Sequence, residues 1–422
     1  MLNRRSTLLA NSLSSSEPIN IDNYLTIEAL EDGLTAKLSN NACEYCIDGD
    51  GVWKTLSANT TTPSINQGQM VSFRGNLAPS SSKGIGSFTI SQKCNLKGNC
   101  MSMLFGDDAE NNYSLSGKNY AFYNLFYNCT NIIEVSPNFL PATTLASYCY
   151  RQMFYGCTSL TTAPELPATT LATYCYQYIF RNCTSLTTAP ELPATKLADY
   201  CYNGMFYGCK SLTTAPELPA TTLASNCYDS MFNNCTSLTT APDLPTTTLA
   251  SYCYQNMFEN CTSLTTAPGL PATTLASNCY QYMFRNCTSL TTAPGLPATT
   301  LASNCYQNMF QWCTRLTTAP ELPATKLANY CYNYMFYGCT SLTTAPELPA
   351  TTLANYCYNY MFNGCKKLNY IKAMFTTTPS SSYTNSWVYG VSSTGTFVKN
   401  KNATWNVTGN NGIPSGWTVQ TA

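Results

Sequence analysis

The chain has 422 residues, 21 basic and 21 acidic side chains, and no histidine. Without histidine it can form no Ser-His-Asp or Cys-His nucleophile pair, no HExxH site and no zinc finger of the cysteine-histidine type. Its zero net charge argues against electrostatic capture of nucleic acid. No apolar run approaches the roughly 20 residues that cross a bilayer, so membrane insertion is not expected.

Residues 1–20 (MLNRRSTLLANSLSSSEPIN) are rich in Ser and Asn. Arg4 and Arg5 before Thr7-Leu8-Leu9-Ala10 faintly outline a signal peptide. The apolar stretch is shorter than the usual h-region of about 7–15 residues, so a mobile tail is expected.

Residues 21–93 carry short β-type runs (YLTIEAL, GLTAKLS, EYCIDGDGVWKTL, MVSFRGN, GSFTISQKC). Turn pairs such as Asp32-Gly33 and Asp50-Gly51 divide them, which predicts a small β-sandwich-like domain suited to anchoring. Asp48-Gly49-Asp50-Gly51 lacks the further acidic positions of a calcium loop, so it reads as a hairpin turn. Ser82-Lys83-Gly84-Ile85-Gly86 lacks the glycine spacing of a P-loop.

From about 94 to 375 the chain repeats itself. One unit reads CTSLTTAPELPATTLATYCYQYIFRN from Cys157 and begins again at Cys183, then at Cys209, Cys235 and every 26 residues to Cys365. The step from Cys129 to Cys157 is 28 residues, and degenerate first copies precede it. A fixed period in the twenties means a solenoid, in which each unit buries its apolar face only against its neighbours. Leu171, Cys175, Ile179 and Cys183 recur four apart behind Pro167 and Thr169-Thr170. That spacing predicts a helix of about three turns ending near Asn182. The other half, Leu160 to Pro167, predicts a short strand near Thr161–Ala163, limited by Pro164. The expected architecture is thus an α/β solenoid of 26-residue coils, each a short strand plus a short helix. Residues 376–422, with Trp387, Phe397, Trp405 and Trp417 among β-formers, predict a β-rich cap over the last apolar face.

The pattern L-x-x-A-x-x-L-P followed by L-A-x-x-C-Y-x-x-M-F-x-x-C-x-x-L, with Met153-Phe154 leading to Leu160, resembles the BspA-like (Treponema pallidum-type) leucine-rich repeats. The resemblance implies a leucine-rich-repeat rod and a role in surface adhesion and partner binding rather than catalysis. The YLTIEALEDG start and IPSGWTV ending are similar to repeat proteins of gut Bacteroidales and their bacteriophages. That similarity implies an appendage or fibre on a virion or cell surface; unpaired cysteines would further imply assembly in a reducing cytoplasm.

Nineteen of the 23 cysteines fall in two columns, Cys129 to Cys365 and Cys149 to Cys357. Disulfides or metal are one reading; buried free thiols serving as small apolar plugs are the simpler one. The Met-Phe column reads as core filling, and the invariant tyrosines from Tyr176 to Tyr358 read as structural residues at the edge of the buried arc. No cofactor, metal ligand or catalytic residue is expected. The positions that differ between copies share one arc of the predicted helix. They include Tyr174, Tyr178, Arg181, Tyr200, Tyr207, Tyr252, Tyr282, Arg285, Trp312, Tyr330, Tyr334, Tyr337, Tyr356 and Tyr360. Gln177, Asn233, Asn308 and Gln311 accompany them. This Tyr/Asn/Gln composition suits a binding face for a surface protein or glycan; unconstrained drift of outward positions is the competing reading. A structural decoration whose rods pack on each other, or attach to a virion through the N-terminal domain, is the alternative function.

Overall fold

In the computed structural model residues 18–81 and 83–422 are described, so most of the expected tail lies outside the described residues. Seven strands open the fold: β1 (Leu25–Ala29), β2 (Ala36–Leu38), β3 (Cys43–Ile47), β4 (Lys54–Leu56), β5 (Met70–Arg74), β6 (Phe88–Ile90) and β7 (Cys94–Lys97). β4, β3, β5, β1 and β7 lie side by side and antiparallel. β2 and β6 form a separate pair. The Asp48–Gly51 turn uses both carboxylates internally. Asp48 accepts from the Met70 N–H and the Gln69 side chain, and Asp50 accepts from the Val52 N–H.

The sheet does not stop at residue 93. β7 pairs in parallel with β8 (Ile132–Val135), whose Glu134 bridges Thr162, and Thr162 bridges Thr188. The rod's strand column therefore grows from the edge of the N-terminal sheet, and that edge is covered rather than exposed. Arg74 ties the junction. Its Nε donates to Glu44 at 2.8 Å, its Nη1 to Asp107 at 2.7 Å, and its guanidinium lies 4.2 Å from the Trp53 ring centre.

Each coil carries only single parallel bridges on its strand side, such as Thr214 with Thr240 and Thr240 with Thr266. The predicted helix is absent: the segment from Thr173 to Asn182 is a run of turns. Its backbone N–H groups alternate in destination. Those of Cys175, Gln177, Ile179, Arg181 and Cys183 donate three residues back, as in β-turns. Those of Tyr174, Tyr176, Tyr178, Phe180 and Asn182 donate to the next coil, to Asp199, Cys201, Asn203, Met205 and Tyr207. A helix would satisfy itself with bonds four residues back and leave nothing for its neighbour. Here the turns stack into a ladder that joins coils as a sheet does. The device enabling it is a left-handed residue every fourth position: Tyr174, Tyr178 and Asn182 have φ of 59°, 58° and 60°.

The interior is made of stacked columns. Tyr150, Tyr176 and their successors to Tyr358 are almost wholly buried, with ring centres 5.7–6.0 Å apart. The phenylalanines from Phe126 to Phe362 stack at 5.6–5.8 Å. All 23 cysteines are buried and free. Those of the Cys157–Cys365 column donate their thiol to the carbonyl of a phenylalanine, as Cys235 does to Phe206 at 3.1 Å. Burial pushes these thiols well above their ordinary range, Cys313 to about 12. Such thiols are plugs and weak donors, not nucleophiles. Cys43 and Cys46 do have a C-x-x-C spacing, but residues three apart on a strand face opposite sides of the sheet.

At the far end β9 (Tyr370–Ala373), β10 (Thr396–Lys399) and β11 (Thr418–Thr421) form a parallel three-stranded sheet, one strand per coil. The winding therefore continues into the last residues. Trp387 stands 26 residues after Met361 and takes its place in the methionine column. It is fully buried against Tyr358, Phe362 and Phe375, and its indole N–H donates to the Gly412 carbonyl at 2.9 Å. One large side chain thereby covers the ends of two aromatic stacks.

Candidate functional site: an aromatic ridge on the turn ladder

Three left-handed columns run along the ladder. The first holds Tyr148, Tyr174, Tyr200, Asn226, Tyr252, Asn278, Asn304, Tyr330 and Tyr356. The second runs from Gln152 and Tyr178 to Tyr334 and Tyr360; the third is Gly or Asn apart from Trp312. Glycine and asparagine tolerate positive φ, whereas it is unusual for a bulky side chain. Much of the Asn content of the predicted face thus has a conformational cause. Eleven tyrosines and one tryptophan nevertheless occupy these positive-φ positions, from Tyr120 to Tyr360.

The amides divide further. Gln177, Asn233, Asn308 and Gln311 are buried, not exposed as the helical wheel predicted. Gln177 heads a ladder one step inside the ridge: it donates to Asn203 at 2.9 Å, and Asn203 donates to Asp229 at 3.0 Å. Gln255, Gln281, Gln307 and Asn333 continue it at 2.6–3.1 Å. These amides bond from coil to coil and lock the register of successive coils, while the Gln177 and Asn233 side-chain oxygens are buried without a partner among the described residues. Burial pushes the Asp229 carboxyl up despite hydrogen bonds from Ser230, Asn256 and Asn203. It also pushes Glu259 up despite the neighbouring Arg285.

None of the fourteen Tyr, Arg and Trp positions is buried. The structure gathers thirteen of them into two patches. In the first, Tyr174 and Tyr200 stack at 4.5 Å, and the Arg181 guanidinium lies 4.9 Å from the Tyr178 ring centre and 3.9 Å from that of Tyr207. Tyr178 reaches over the next coil, where Gly204 leaves room; a Cβ there would collide with its ring. In the second, Arg285 lies 5.3 Å from Tyr282 and 5.7 Å from Trp312. Trp312 meets Tyr337 edge-on at 6.0 Å, Tyr334 stacks on Tyr360 at 4.5 Å, and Tyr330 on Tyr356 at 4.8 Å. Tyr252 stands apart, 38% exposed, among Asn226, Asn256 and Asn278.

The first patch is larger than its sequence-predicted members. Tyr120 and Tyr148 extend the Tyr174–Tyr200 stack at 4.5 and 4.7 Å, and Arg151 lies over Tyr123 and Tyr148. Tyr120 and Tyr123 lie across the 28-residue step, outside the regular register, whereas Tyr148 and Arg151 keep the 26-residue spacing and were overlooked in the first copy. The Nε groups of Arg151 and Arg181 are buried without a hydrogen-bond partner among the described residues. Each patch thus offers flat aromatic faces beside a guanidinium. Among the described residues no cluster of Cys, Asp or Glu could hold a metal ion, and no helix is long and apolar enough to cross a membrane.

Comparison with known families matches the rod to a BspA-type leucine-rich repeat region of six copies, over residues 118–228, 176–317 and 274–389. No curated protein matches the chain.

Proposed function

We propose, from the premise that this chain belongs to the BspA-type leucine-rich repeat family, that it is a non-enzymatic binding protein whose aromatic ridge contacts a surface protein or glycan. One observation supports this most. Among the described residues, six of the nine large apolar side chains that stand exposed lie on the ridge: Tyr127, Tyr252, Trp312, Tyr330, Tyr356 and Tyr389. Four of these six sit at positive φ, where a bulky residue costs on the order of 1–2 kcal/mol relative to its ordinary conformation. Neighbouring coils place Asn in the same columns, so the backbone does not call for aromatics there. Clustered, rigid, half-exposed rings suit stacking on sugars or packing on a partner. The N-terminal sheet then serves as the anchor, on a cell or virion surface.

The test exploits the columns themselves. Tyr330, Tyr334 and Tyr337 are changed together to Asn, a residue that each column already holds in other coils. Binding to a glycan array and to intact bacterial cells is expected to fall on the order of tenfold or more, since aromatic anchors dominate such contacts. Binding that survives with the melting curve unchanged removes the ridge from the function. Rods that associate in light scattering until the same residues are changed would favour self-packing.

A further inference from the structure

A second surface lies on another segment of the coil, and it does not depend on the ridge. Every regular unit carries Ala-Pro-X-Leu-Pro or a close variant. The X position holds Glu165, Glu191, Glu217, Asp243, Gly269, Gly295, Glu321 and Glu347. Where carboxylates stand in succession, this face holds separate hollows of about 330, 340 and 460 Å³. Across the two glycines the hollow opens to about 670 Å³. Its walls are the exposed rings of Pro245, Pro271, Pro297 and Pro323, and its ends are Asp243 and Glu321.

Neither glycine is required by the fold. Neither has positive φ, and a Cβ at Gly269 or Gly295 would meet nothing within 4 Å. The other described glycines either have positive φ or would meet a neighbour. A free glycine also loosens the unfolded chain, by about 0.4–1 kcal/mol relative to alanine. What the pair achieves is an open apolar floor between two acids. Asp243 and Glu321 make no hydrogen bond or ion pair with any described residue.

We propose that this groove binds an extended peptide segment of a partner protein, its apolar centre against the proline row and two basic side chains on Asp243 and Glu321. The spacing fits. Three coils at about 4.8 Å separate the carboxylates by roughly 14 Å, and residues i and i+4 of an extended chain share a face about 13 Å apart. Charge at both ends with an apolar middle selects Lys/Arg-x-apolar-x-Lys/Arg and fixes its register.

The experiment pans a displayed library of short peptides on the whole chain, then titrates a fluorescent Arg-Thr-Leu-Thr-Arg peptide by anisotropy. Enrichment of basic residues four apart around an apolar residue is expected, with binding that weakens as salt rises. Gly269→Gln with Gly295→Gln fills the groove without adding charge and should weaken binding at least tenfold while the melting temperature stays level or rises. Asp243→Asn with Glu321→Gln should abolish the salt dependence. Substituting the ridge tyrosines should leave peptide binding intact, so the two proposals fail separately. Enrichment of acidic peptides, no enrichment, or binding indifferent to the double glutamine variant overturns the proposal. Dimers that the glutamine variant dissolves would also overturn it, making a second copy of the chain the occupant.

Discussion

The N-terminal sheet and the rod answer one demand, partners for every buried backbone N–H and C=O, in two ways. The sheet pairs extended strands side by side, and alternating burial such as that of β2 and β6 follows directly. The rod sends alternate N–H groups back three residues and onward to the next coil. Its side chains then recur every four residues, which imitates a helix in sequence while binding the coils together like a sheet. Neighbour contacts thus carry nearly all of the rod's stability, whereas the N-terminal sheet also has long-range closure.

That contrast is open to breaking. The largest effect is expected from Tyr228→Ala in the middle of the stack, a loss of about 3–5 kcal/mol. Amide exchange should accelerate in the adjoining coils while β1 and β5 stay protected, because a solenoid's stability is a sum of neighbour terms. Equal loss in both regions would show that they unfold as one. Next, Asn304→Ala places alanine at φ 57° and should cost about 1 kcal/mol or somewhat more. In a helix the same change would stabilise by about 0.5 kcal/mol. Asn59, at φ 63° in the N-terminal unit, should respond to alanine like Asn304, which ties the effect to conformation rather than to region. Urea unfolding of the two variants decides the sign. Cys235→Ala removes one thiol donor to Phe206 and should cost roughly 1 kcal/mol. An aromatic disulfide reagent should find the native thiols unreactive and all 23 titratable after denaturation.

The smallest effect is a divergence with pH. Burial alone would raise Asp107 and Glu28, but bonds from Tyr24 and Arg74 to the first, and from Lys97 and Asn95 to the second, hold both below their usual range. Their stabilisation is present above the unfolded carboxylate pKa of about 4 and is lost as pH falls through the depressed values. Asp229 and Glu259 are raised. Their contribution is complete below the unfolded pKa and is lost as pH rises through the folded values. Acidification should therefore weaken the N-terminal junction, followed through Trp53 emission, before it weakens the coils around residues 229–260.

The helix prediction failed for a readable reason. Leu171, Cys175, Ile179 and Cys183 repeat at a strict four, where a helix of 3.6 residues per turn would drift and call for threes as well. The third ridge column, Gly or Asn in every copy but Trp312, also marked a left-handed position. The buried fate of Gln177 and Asn308 was not readable. Their partners lie 26 residues away or, as with Gln311, across the same turn, and only the stacking brings them together.

The sequence alone determined that the chain winds with a 26-residue period, that Phe, Met and Cys columns fill its interior, and that the Tyr, Arg and Trp positions differing between copies stay outside. Periodicity and burial follow from comparing copies along the chain, which needs no knowledge of how they pack. Only the tertiary structure decided that the winding is a ladder of turns, that the N-terminal sheet supplies its first strand, that Trp387 closes its end, and that two glycines open a groove between Asp243 and Glu321. Each of these depends on which coil lies beside which, a relation that exists only once the neighbouring copy has stacked.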